Sequence, residues 1–115
     1  MSTAPGSVFH YEVEETVDAN SYTTTTIKCH GKLISSNSPE IRELVAPLIQ
    51  RGGKIILDFT DLEYLDSSGL GALVTLKVSS INRGLCVLEL KNLTPRVKKL
   101  LSITNLLQLF GQSAS

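Results

Sequence analysis

Phe9, Tyr11 and Val13 alternate with His10 and Glu12, a period of two that predicts a half-buried strand. From 23 to 33 the chain is rich in threonine, with Ile27, Cys29 and Leu33 on one alternating face, which predicts a second strand. Asp18-Ala19-Asn20-Ser21 supplies the turn between them, so the two are expected to form a hairpin. The period then becomes helical: Ile41, Leu44, Val45, Leu48 and Ile49 recur on one face, after Ser38 as N-cap and Pro39 at the first helical position. Arg51-Gly52-Gly53 ends that helix. Residues 54–59 form a short, nearly continuous apolar run, the pattern of a strand covered on both faces.

A second helix is predicted from Leu70, Leu73, Val74, Val78 and Ile81, its stripe interrupted by Lys77, whose stem can lie along the apolar surface. Arg83-Gly84 stops it, and 85–90 reads as another buried strand. Thr94-Pro95 opens a third helix with Val97, Leu100 and Leu101 inward, and 106–110 is a last strand-like run. The order β-β-α-β-α-β-α-β predicts an α/β fold: one domain over 8–111, with a mixed, mostly parallel sheet and helices packed against it. Residues 1–7 are expected to be a flexible N-terminus and 112–115 a polar tail.

Composition agrees with a single soluble domain: 115 residues, 42% hydrophobic and 19% charged. The first six residues have neither the basic nor the apolar region of a signal peptide, and no apolar run approaches the roughly 20 residues that span a bilayer. The expectation is a reducing cytoplasm without membrane insertion, with Cys29 and Cys86 as small buried hydrophobes rather than a disulfide. Net charge is zero, which argues against direct nucleic-acid binding. The signs are unevenly placed, however. After Asp66 the only acid is Glu89, against Lys77, Arg83, Lys91, Arg96, Lys98 and Lys99. That basic half reads first as solvated helix faces and second as a docking surface for an acidic partner.

Signals for catalysis are weak. His10 and His30 have no partners at metal-site or nucleophile–base spacing, and Cys29 and His30, adjacent on a strand, point to opposite faces. Asp58, Asp61, Glu63 and Asp66 cluster across a strand end and the loop after it. That suits turn and helix-start chemistry first and a Mg²⁺ site second. In Gly69-Leu70-Gly71, Val74 stands where a dinucleotide fingerprint needs its third glycine. What remains is Asp66-Ser67-Ser68-Gly69. Either serine suits the role of N-cap, and a helix N-terminus also favours a phosphoryl group through its free N–H donors and macrodipole.

The run Asp61-Leu62-Glu63-Tyr64-Leu65-Asp66-Ser67-Ser68-Gly69-Leu70-Gly71 resembles the signature of STAS-domain proteins, in particular the bacterial anti-sigma factor antagonists. Gly31-Lys32-Leu33, the strand Ile55-Ile56-Leu57-Asp58-Phe59 and Leu93-Thr94-Pro95-Arg96-Val97 extend the resemblance over nearly the whole chain. It implies a non-enzymatic binding module with Ser67 as phosphoacceptor and Ser68 as second choice. The phosphate donor is ATP, bound by a partner anti-sigma factor that is itself a serine kinase, so the chain needs no cofactor of its own. Only the unphosphorylated antagonist holds the anti-sigma factor and frees the sigma factor, and a phosphatase resets the system. The implied partner surface is Ser35, Ser36, Asn37, Asp66, Ser67, Ser68, Gly69 and Leu70. A phosphorylation-independent scaffold, in a stress-signalling complex or a lipid transporter, is the alternative role within the same family. Two departures stand out. Ile34 occupies a position where such antagonists usually carry an acid, and the family's C-terminal helix is missing or reduced, which would leave apolar surface for a partner.

Overall fold

The computed structural model describes residues 9–111; the expected flexible N-terminus and polar tail lie outside them. The hairpin forms as expected. Strand β1 (Phe9–Val17) pairs antiparallel with β2 (Thr23–Leu33), and the Asp18 carboxylate closes the turn by accepting from the N–H groups of Asn20 and Tyr22. Helix α1 (Ser38–Arg51) leads to β3 (Gly53–Leu65), α2 (Ser67–Arg83) to β4 (Cys86–Lys91), and α3 (Pro95–Ile103) follows. The sheet order is β1-β2-β3-β4, with β3 parallel to both β2 and β4. Both crossovers step the same way along the sheet, so the right-handed rule places α1 and α2 side by side on one face. They do pack against each other.

That face is the core. Ile27, Cys29 and Leu33 from β2, Ile55, Leu57 and Phe59 from β3, and Leu88 and Leu90 from β4 meet Ile41, Val45 and Ile49 of α1 and Leu70, Leu73 and Leu76 of α2. Cys29 and Cys86 are buried free thiols. Burial pushes the Cys29 thiol up to about 12, assisted by the negative charge of Asp58.

Several expectations need correction. The central strands are covered on one face rather than two: Ile56 is half-buried and Val87 is exposed. Strand β3 does not stop at Phe59. It runs on to Leu65 through two one-residue bulges against β2, which change its buried positions from every second residue to Phe59, Leu62 and Leu65. Asp61 and Glu63 therefore lie on a strand, not in a loop. Only Phe9 of β1 is buried; Tyr11 and Val13 face the core side but lie at the sheet edge, beyond what the helices cover.

On α2 the inward face runs Leu70, Leu73, Leu76 and Ser80, leaving Val78 and Ile81 in solvent. Lys77 reaches across to the edge of β4, its Nζ donating to the Leu88 carbonyl at 2.7 Å. The run at 106–110 is no strand. Leu107 and Phe110 are buried through a short 3-10 turn, η1 (Gln108–Phe110), which packs against β4.

Candidate functional site: the start of the second helix

Helix α2 begins at Ser67, directly off the end of β3, and its N-cap is Asp66 rather than either serine. One carboxylate oxygen of Asp66 accepts from the Gly69 N–H at 2.8 Å, and the other accepts from the Ser35 N–H at 3.0 Å. The Asp66 N–H donates to the Leu33 carbonyl at 3.1 Å. One residue thus caps a helix and ties it to the end of β2. The N–H groups of Ser67 and Ser68, in the first turn, have no carbonyl a turn earlier to pair with. Both side chains are exposed.

Gly69 is required by space. A Cβ there would stand 2.4 Å from the Leu33 carbonyl oxygen and 2.7 Å from Leu65 Cδ1. Gly71, one turn on from Ser67, is the opposite case: a Cβ there would meet nothing within 4 Å. The outer surface beside Ser67 is therefore flat and open by absence of a side chain.

The connection from β2 to α1 forms the other half of the site. Asn37 is the N-cap of α1 in place of the expected Ser38. Its side chain does not bond the helix; Oδ1 accepts from the Ile34 N–H at 2.9 Å and Nδ2 donates to the Lys32 carbonyl at 3.0 Å. It is 5% exposed. Asn37 therefore shapes the loop from inside and offers no contact surface, contrary to its expected role. Gly69 and Leu70 are buried as well, so of the expected partner surface the structure exposes Ser35, Ser36, Ser67 and Ser68, with Asp66 half-buried among them. Ile34 is half-buried at the head of the loop.

The remaining carboxylates do not converge. Asp58 accepts from the Thr60 N–H and hydroxyl at 3.0 and 2.7 Å and from Asn92 Nδ2 at 3.2 Å. Desolvation pushes its pKa up, but these bonds and the Lys28 charge outweigh it and hold the carboxyl below its usual range. Asp61 lies 3.1 Å from His30 Nδ1, while Glu12 lies 2.7 Å from His30 Nε2. His30 also stacks on His10, with ring centroids 4.6 Å apart, so the two histidines are cross-strand neighbours facing an open polar cleft. Among the described residues no group of three or more His, Cys, Asp or Glu is placed to hold a metal ion. No described helix is long and apolar enough to cross a membrane.

The β-β-α-β-α-β-α frame that carries this site is matched by known proteins. Residues 11–114 match the STAS domain. The chain belongs to the STAS domain family. An anti-sigma-B factor antagonist of Bacillus subtilis is 34% identical over 85 residues, covering 73% of this chain and 76% of that protein. Two solved structures share the fold. The anti-sigma factor antagonist SpoIIAA in its unphosphorylated form superposes with a TM-score of 0.69 at 23% identity, covering 90% of this chain and 88% of that one. An anti-sigma factor antagonist from Mycobacterium paratuberculosis gives 0.73 at 16% identity, over 99% and 92%. The stretch matched to the STAS domain contains both the Ser67 turn and α3.

Proposed function

We propose that this STAS domain is an anti-sigma factor antagonist of the cytoplasm, a binding module switched by phosphorylation of Ser67. Unphosphorylated, it holds an anti-sigma factor that is also a serine kinase, and a sigma factor goes free. The kinase supplies ATP from its own site and transfers a phosphoryl group to Ser67, and a phosphatase removes it. The observation that carries this reading is that Asp66 takes over the capping of α2, leaving the Ser67 hydroxyl exposed at the first helical position.

The physical consequence of modification follows from that position. A phosphoryl group adds roughly −1.5 to −2 charges and three acceptor oxygens. Local backbone N–H donors and the helix dipole favour it, while the Asp66 carboxylate next to it repels it. The added charge therefore projects outward from the Ser35–Ser36 and Ser67–Ser68 surface. A partner fitted closely over neutral hydroxyls loses contact with it.

Purified candidate anti-sigma kinases from the same genome, incubated with the protein and ATP, test the assignment. Mass spectrometry should place the phosphate on Ser67, and Ser67→Ala should bind the kinase without accepting phosphate. Ser67→Asp should weaken kinase binding at least tenfold, about 1.4 kcal/mol. Unchanged binding by Ser67→Asp would remove the charge switch and favour a phosphorylation-independent scaffold. Phosphate incorporated into Ser67→Ala would move the acceptor to Ser68.

A further inference from the structure

The basic second half of the chain has a place in the fold that the Ser67 switch leaves unused. Tyr64 and Leu65, which lead into the Asp66 cap, form one wall of a groove of about 250 Å³; α3 forms the other through Arg96, Lys99 and Ile103. The floor is apolar, with Leu65 and Val97 buried, while Tyr64 and Ile103 remain 40% and 69% exposed at the mouth. Arg96 and Lys99 are exposed and form no ion pair among the described residues. Helix α3 carries no acid. The one acid beyond Asp66, Glu89, lies 3.4 Å from Lys54. Neither cation of the rim is therefore held in an ion pair among the described residues, and the apolar floor begins one residue from the cap of the switch helix.

We infer that this groove receives an acidic, amphipathic segment of the same protein that engages Ser67. Apolar side chains of that segment seat between Tyr64 and Ile103, and its carboxylates meet Arg96 and Lys99. The inference rests on the proposed Ser67-centred partner, and it names a second contact for that partner. Charge complementarity selects an acidic occupant. Concavity selects a protein segment over a membrane surface, because a bilayer cannot insert an individual side chain into a recess. Continuity with the Ser67 turn lets one partner span both.

The experiment measures binding of the purified anti-sigma kinases from the same genome to wild type, Ser67→Asp and the double variant Arg96→Glu/Lys99→Glu, at low and high salt. Both reversed side chains are exposed, and an unchanged circular-dichroism melt confirms that the variant folds. The double variant is expected to bind at least tenfold more weakly than wild type and to lose most of the salt dependence. If it binds like wild type while Ser67→Asp does not, the groove contact is wrong and the switch stands. If the double variant is weakened and Ser67→Asp is not, the groove stands and the switch fails. If neither variant is weakened, or no kinase binds wild type, both are overturned. Co-sedimentation with phosphatidylglycerol–phosphatidylcholine vesicles supplies the remaining control. Vesicle binding lost in the double variant, with kinase binding intact, would make the groove a membrane contact and overturn the inference.

Discussion

Two glycines two residues apart in α2 should respond to the same substitution with opposite signs. At Gly71 an added methyl meets no atom within 4 Å, so Gly71→Ala only exchanges a poor helix former for the best one. The expected gain is about 0.5–1 kcal/mol. At Gly69 the same methyl would stand 2.4 Å from a backbone oxygen, Leu33 O, which already accepts the Asp66 N–H. Backbone cannot rotate aside as a flexible side chain can, so α2 must withdraw from the end of β2. Overpacking of this kind costs about 1–3 kcal/mol, and weakening the Asp66–Leu33 bond adds about 1 kcal/mol. The propensity gain offsets only part of that, leaving a net loss of roughly 1–3 kcal/mol. Urea unfolding followed by circular dichroism resolves both changes, and heat unfolding should show them as shifts of about 4 °C per kcal/mol for a domain of this size. If both variants moved in the same direction by similar amounts, the close approach of α2 to β2 would be wrong. The whole geometry of the Ser67 turn depends on that approach.

Asp66→Ala removes the cap of α2 and the bond that holds Ser35. It should cost about 1–2 kcal/mol in urea unfolding and speed hydrogen exchange at the Ser35 and Gly69 amides together. The Cys29 thiol should resist Ellman's reagent at pH 8 in the native protein and react only on unfolding. The same group gives a pH dependence. The unfolded thiol ionises near 9.0 and the folded one near about 12, so its contribution is complete below pH 9 and is lost as pH rises from there towards 12. Cys29→Ala should flatten that alkaline slope in unfolding measured across pH 8–11. Asp58 acts with the opposite sign. Its carboxyl is held below the usual range, so the stability it contributes at neutral pH is lost as pH falls through its folded value. Asp58→Asn should therefore lessen the acid sensitivity of unfolding.

Much of the fold was legible because burial and period coincide. Ile41, Val45 and Ile49 of α1, and Val97 and Leu101 of α3, are inward as their spacing predicts. Failures came where a second geometry replaced the simple period. The bulges in β3 turn an alternation of two into steps of three at Phe59, Leu62 and Leu65, so the sequence period breaks off six residues before the strand ends. On α2, Val78 and Ile81 extend the apolar stripe in sequence, yet the sheet meets Leu76 and Ser80 instead, and Ser80 donates its hydroxyl to the Cys86 carbonyl. At the candidate site, Asp66, Ser67 and Ser68 are three consecutive residues each able to cap a helix. Choosing among them needs the Ser35 amide, 31 residues earlier, which only the fold brings within reach. Asn37 carried no sequence signal for its inward role, since asparagine in a polar loop reads as surface.

The edge strand β1 has, among the described residues, a neighbour on one side only. A nine-residue open edge is an invitation to pair with a second copy of itself. Antiparallel self-pairing centred on Val13 would set Glu12 of each copy directly against Glu14 of the other, twice across the twofold axis. Opposed like charges at cross-strand positions are destabilising. The glutamates that make β1 a poor core strand therefore oppose fibre-like stacking of an edge that exposes Tyr11, Val13 and Val17.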